Sequence, residues 1–177
     1  MDAFEHLASE LFFRKGYWVQ NSLKINLTKD EKVKIGRPSS PRWEIDLVAY
    51  RGGKNELLAL ECKSYLDSYG VALAEFQPDH PSTRYKLFKE DLTREVVLSR
   101  MKSDLVRDGF VPSDCKVHFG LVAGKIRPSD AKALPEYFSK RGWHLFGPDW
   151  IKREVAQLAD SGYSNDVSAV VAKLLLR

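Results

Sequence analysis

Cysteine is scarce: two among 177 residues cannot build a disulfide framework. Cys62 and Cys115 both lie in apolar, strand-like stretches and read as reduced core thiols. Cys115 with His118 supplies too few ligands for a zinc site. No run approaches the ~18 consecutive apolar residues of a membrane-spanning helix. The opening MDAFEHLASE is acidic and helical, unlike a signal peptide. A cytoplasmic location without a membrane partner is therefore expected. There is no internal repeat and no low-complexity segment. Neither sign of charge dominates, since 28 Lys and Arg against 24 Asp and Glu leave only +4, which permits a nucleic-acid partner without requiring one. What remains is 44% hydrophobic and 29% charged, enough apolar material for one domain over residues 1–177.

The most informative stretch is residues 43–65, in which WEIDLVAY and ELLALECKSY flank the turn RGGKN. Apolar and β-branched residues around a Gly-Gly turn signal a β-hairpin. Both strands are apolar on both faces, as in the middle of a covered sheet. Yet Asp46, Glu61 and Lys63 sit in them, and burying charge is costly unless it is paired or bound to metal. Closure around Gly53 and Lys54 sets Asp46 opposite Glu61 and Glu44 opposite Lys63. Opposed residues share a face with Cβ atoms roughly 5 Å apart, and residues two apart on a strand also share one. Asp46, Glu61 and Lys63 thus converge, with Cys62 turned away. A hard divalent ion such as Mg²⁺ suits two such carboxylates, and the lysine can orient a water or hold a phosphate. The bland alternative is a salt-bridged trio that fixes strand register.

In these residues the chain resembles the PD-(D/E)xK nuclease superfamily, with its restriction-endonuclease-like fold. Asp46 matches the Asp of the first half-motif and Glu61-Cys62-Lys63 the second; Ile45 stands where the motif name has Pro. The nearer likeness is to archaeal Holliday-junction-resolvase-like nucleases, which share an ECK strand and an N-terminal helix carrying a Glu. The resemblance implies an αβββαβ core with a mixed sheet flanked by helices, over about residues 2–146, with C-terminal helices in 147–177 as an extension. It further implies Mg²⁺ or Mn²⁺ held by Asp46 and Glu61, with the Cys62 backbone carbonyl as an extra ligand. Lys63 would be catalytic, and Glu5, 11 residues before Gly16, would hold a second metal or an outer-shell water.

The rest of the chain supplies the frame. Residues 2–15 predict a helix capped by Asp2, with Phe4, Leu7, Ala8, Leu11 and Phe12 as its apolar stripe. Glu5 falls at the edge of that stripe and equally suits a solvated first turn. Residues 17–28 predict a strand, and 29–42 a polar stretch in which Arg37 and Arg42 could track a phosphate backbone or merely face solvent. Residues 65–90 give little beyond a short helix near 71–76. Helices are expected over 91–107, from Ser129 or Asp130 to Lys140, from Pro148 to about Asp160, and over 164–175. Strands are expected over 116–123 and 143–146. The last helix is expected to pack through Val167, Val170, Val171, Leu174 and Leu175.

Together these features predict an α/β protein that is a metal-dependent endonuclease acting on DNA, of a repair, restriction or junction-resolving type. The alternative is a nuclease fold kept as a nucleic-acid- or partner-binding module without turnover. Nothing in the residues separates DNA from RNA, and cutting both strands would favour a homodimer.

Overall fold

The computed structural model describes residues 2–40 and 42–177. Helix α1, Ala3–Arg14, starts at a capping box: the Asp2 carboxylate accepts the Glu5 N–H and the Glu5 carboxylate accepts the Asp2 N–H. Strand β1, Trp18–Ile25, then leads into a six-residue helix α2, Lys29–Lys34. The stretch 29–42, expected only as a polar stretch with no element assigned, is helical there because Thr28 and Glu31 form a second capping box. Arg100 secures α2 by donating to both oxygens of Glu31.

The hairpin forms with β2, Trp43–Arg51, and β3, Glu56–Lys63. Its pairs Leu47–Leu60 and Ala49–Leu58 carry the expected register. Tyr50 donates to Asn55, which takes the left-handed backbone (φ 51) that closes the turn. A short helix α3, Lys86–Lys89, and the long α4, Asp91–Arg107, follow. Then come β4, Lys116–Ala123, α5, Ala133–Lys140, and β5, His144–Phe146, before α6, Pro148–Asp160, and α7, Val167–Leu176. The helix α5 starts later than expected. Pro128–Asp130 make a separate helical turn, and the Asp130 carboxylate accepts the Leu73 N–H instead of capping α5.

The five strands lie in the order β1-β2-β3-β4-β5. The first three are antiparallel neighbours, whereas β3, β4 and β5 run parallel, so a mixed sheet results. Parallel neighbours need crossover connections, which α3 and α4 supply between β3 and β4, and α5 between β4 and β5. Pleating sends alternate residues to two cores. Val48, Leu57, Ala59, Phe119 and Leu121 meet Val96, Val97 and Met101 of α4 and Phe138 of α5. Leu47, Ala49, Leu58, Leu60 and Cys62 meet Ala8 and Phe12 of α1, with Trp150 and Ile151 of α6 alongside.

Helix α7 lies outside this second layer. Its contacts are made by Ala169 and Ala172, against Leu11, Leu158 and Ala159. Val167, Val170, Val171, Leu174 and Leu175, the expected packing stripe, are all exposed. Small residues allow closer helix approach, so the alanine face packs and the valine–leucine face stays open. Among the described residues no helix is long and apolar enough to cross a membrane.

Candidate active site

The paired ladder of the hairpin ends at Leu47–Leu60, one step short of Asp46 and Glu61. On the other side of β2, Ser22 is the β1 residue in register with Asp46, between the pairs Asn21–Leu47 and Leu23–Ile45. Ser22 holds left-handed backbone (φ 51), which breaks the pairing at that step. Asp46 therefore lies where the sheet opens on both sides. Asn-Ser inside a strand was the available signal for this break. The structure also leaves Glu44 out of its expected pairing with Lys63, because Glu44 lies beside Lys24 of β1 and forms an ion pair with it.

The Asp46 side chain fills the gap it creates. Its Oδ2 accepts the Cys62 N–H at 2.8 Å and a Lys63 Nζ proton at 3.1 Å. Lys63 Nζ also stands 3.6 Å from Glu61 Oε2, so one ammonium bridges two carboxylates. The three side chains are 16%, 18% and 29% exposed for Asp46, Glu61 and Lys63, which shelters them while leaving an opening to solvent. Shelter sets the protonation behaviour. Burial, and then the negative charge of Asp46, push the Glu61 carboxyl up to about 7. Burial works against the charge on Lys63, yet the carboxylates of Asp46 and Glu61 outweigh it and raise its pKa. The Cys62 thiol, buried on the opposite face, is raised by burial first and by Asp46 second, and so is an inert core thiol.

The backbone of Cys62 faces the same opening. The Lys63 carbonyl accepts the Gly124 N–H at 2.9 Å, which turns the peptide groups of Lys63 towards β4. Successive residues of a strand direct their peptide groups to opposite neighbours. Those of Cys62 thus point to β2, as its bond to Asp46 requires. The same alternation directs its carbonyl towards the gap beside Asp46.

Glu5 sits on α1, the helix that covers the other face of the sheet. Its carboxylate closes the capping box with Asp2, and its charge is felt at Cys62. Among the described residues no three His, Cys, Asp or Glu side chains stand together in a way that could hold a metal ion. The close approach of this helix depends on Gly124. A Cβ there would lie 2.5 Å from the Ser64 carbonyl oxygen and 3.0 Å from the Phe4 ring. A glycine directly after an apolar strand was the only sequence sign of that junction.

Of the two arginines expected to meet phosphate, Arg37 is engaged within the protein. It pairs with Glu90 ahead of α4 and lies 6.0 Å from the centre of the Trp43 ring. Arg42 is exposed, next to the start of β2. The arginines of α4 are likewise occupied: Arg94 lies over Trp143, Arg100 holds Glu31 and Arg107 pairs with Asp104.

The donors at the opening are all oxygens, two carboxylates and one carbonyl. That set suits a hard divalent cation, and a carboxyl raised by burial and then by a neighbouring carboxylate marks a sheltered place short of positive charge. Comparison of the chain with protein-family profiles, with curated proteins and with solved structures finds no match.

Proposed function

We propose that this protein is a metal-dependent endonuclease that hydrolyses phosphodiester bonds in DNA, with a PD-(D/E)xK-type site. The observation that carries the reading is the convergence of Asp46, Glu61 and Lys63 where the hairpin ladder opens. The element order α1, β1, β2, β3, α4, β4 supports it, being the αβββαβ order of a restriction-endonuclease-like core once the short helices are set aside.

In this reading Asp46, Glu61 and the Cys62 carbonyl hold Mg²⁺ or Mn²⁺, which supplies a Lewis acid for the phosphate oxygens. Asp46 Oδ1 is the oxygen left for that role, since both of the bonds described above use Oδ2. Lys63 orients the attacking water and donates to a phosphate oxygen as negative charge grows on it. Its raised pKa keeps it cationic at neutral pH, which suits a stabiliser of charge rather than a general base. Glu5 acts from the outer shell, through its charge. Arg42, exposed at the start of β2, is assigned to phosphate contact; Arg37 contributes by holding that loop against α4.

The test is cleavage of supercoiled plasmid, linear duplex and a four-way junction in Mg²⁺ or Mn²⁺, beside Lys63→Ala. Cleavage that requires metal and disappears in Lys63→Ala is expected. Metal-independent DNA binding without cleavage of any substrate would instead support a binding module.

A further inference from the structure

The chain leaves Lys63 through a segment that the acidic cluster does not use. Tyr65, two residues on, and Tyr85 both hold left-handed backbone (φ 47 and 56), which bulky residues rarely adopt and which persists only where the surrounding structure fixes it. The segment is pinned to the end of β4. Val71 pairs with Ile126 in a parallel bridge, its N–H donating to the Lys125 carbonyl and its carbonyl accepting the Arg127 N–H, both at 2.9 Å. Lys125 Nζ donates to the carbonyls of Leu66 and Ser68 at 3.3 and 2.6 Å. Gly70 (φ 92) admits no side chain, because a Cβ would lie 2.8 Å from the Ile126 carbonyl carbon. The result is a fixed ridge with a hollow on either side. One, of about 440 Å³, is walled by Tyr65, Arg84 and Arg127. The other, of about 520 Å³, is walled by Asp67, Lys125 and Pro128. Tyr69 borders both and is 88% exposed.

The chemistry of the ridge leans positive, with Arg84, Lys125 and Arg127 on the two hollows against Glu75 on the first and Asp67 on the second. The Arg84 guanidinium lies 5.9 Å from the centre of the Tyr65 ring and 3.4 Å from Glu75. The Arg127 side chain is exposed and makes no ion pair or hydrogen bond among the described residues. His80 borders the first hollow, and its Nδ1 accepts the Ser82 N–H at 3.2 Å, so the neutral ring carries its proton on Nε2 as a further donor. Cations, N–H donors and a bare aromatic face complement a ligand that is flat, anionic and rich in acceptors. A nucleotide has those properties. A base in a continuous duplex is already stacked on both faces, so only an unpaired one can offer a face to Tyr69.

We infer that this ridge seats an unpaired nucleotide, with Tyr69 stacked on its base and Arg127 on its phosphate, so that the substrate class is single-stranded or locally unpaired nucleic acid. Its place in catalysis rests on the nuclease reading, since the ridge begins two residues beyond Lys63 and Tyr65 packs on the same side of the sheet as Ala59 and Leu121.

The experiment is fluorescence anisotropy in chelator with a labelled oligothymidine of about 12 nucleotides, a length within the usual single-strand site range, and its duplex with oligoadenine. The single strand is expected to bind more tightly. Tyr69→Ala should weaken it about 5- to 150-fold, the usual worth of one base–aromatic stack, with duplex binding unchanged. Arg127→Ala should lower the slope of log K against log salt by about 0.7, one phosphate contact on a single strand. Both side chains are exposed, so both variants should keep the wild-type unfolding midpoint. Single-strand binding by Tyr69→Ala equal to wild type, or a wild-type preference for duplex, would overturn the inference. Cleavage in Mg²⁺ separates it from the nuclease reading. Tyr69-dependent binding without cleavage would sink the nuclease and leave the ridge standing. Lys63-dependent cleavage with Tyr69→Ala binding as wild type would sink the ridge alone.

Discussion

Replacing Glu61 by Gln should flatten the pH dependence of stability in metal-free protein. Glu61 is pushed from its ordinary 4.5 up to about 7, by burial first and Asp46 second. The fold therefore favours the protonated carboxyl. Its contribution is complete below about pH 4.5 and is lost as the pH rises through 7. At about 1.4 kcal/mol for each tenfold change in proton affinity, the difference amounts to roughly 3 kcal/mol between the two limits. With an m-value of about 2 kcal/mol/M in urea, the wild-type midpoint should fall by about 1 M or more between pH 5 and pH 8 in chelator. Glu61→Gln, neutral throughout, should lose most of that fall. His144, lowered by burial and then by His118, pulls the other way near neutrality, but it is present in both proteins and cancels in the difference. Mg²⁺ at pH 8 should raise the wild-type midpoint and leave Glu61→Gln nearly unmoved. Equal falls for the two proteins would refute the reasoning, since the carboxyl would then not feel Asp46 or its burial.

Asp46→Ala and Lys63→Ala should each abolish metal-dependent cleavage while far-ultraviolet circular dichroism stays as in wild type; normal cleavage by both would remove the site assignment. Glu5→Gln preserves a capping box, because an amide oxygen also accepts the Asp2 N–H. It should lower the cleavage rate without moving the melting temperature, whereas Glu5→Ala should also cost about 1 kcal/mol of stability. Gly124→Ala forces a methyl against the Ser64 carbonyl and Phe4, and should cost about 1–3 kcal/mol and slow cleavage by displacing the end of β3, read by urea unfolding and plasmid nicking. Arg100→Ala releases α2 from α4; with both partners about a quarter exposed, its cost should stay near 1 kcal/mol.

How much of this was legible depended on whether a feature is set by local chemistry or by the whole sheet. The hairpin register follows from a short turn centred on Gly53 and Lys54, which the structure builds from the four residues between the pair Arg51–Glu56, and from a period-two pattern, so the meeting of Asp46, Glu61 and Lys63 could be read from the residues alone. The capping box at Asp2 and Glu5 is equally local, and it shows why a single acidic residue is ambiguous: the spacing that caps a helix also suits a helix that reaches a metal. Strand pairing beyond the hairpin was not local. The break at Ser22 is invisible in a pattern that counts only apolar alternation, yet it is what opens the sheet beside Asp46.

The exposed stripe on α7 is a second case of the same limit. A helix with valines and leucines along one side predicts burial of that side, because apolar area drives packing. In the fold α7 joins last, against α1 and α6, whose outer faces are already shaped by their own contacts with the sheet. Close approach there needs small side chains, and Ala169 and Ala172 provide it. Apolar patterning tells which residues gain from burial, while the surface left by the other elements decides which of them get it. The cluster of Asp46, Glu61 and Lys63 escapes that competition because its three residues lie on one hairpin, whose own register opposes them whatever helix packs on the sheet.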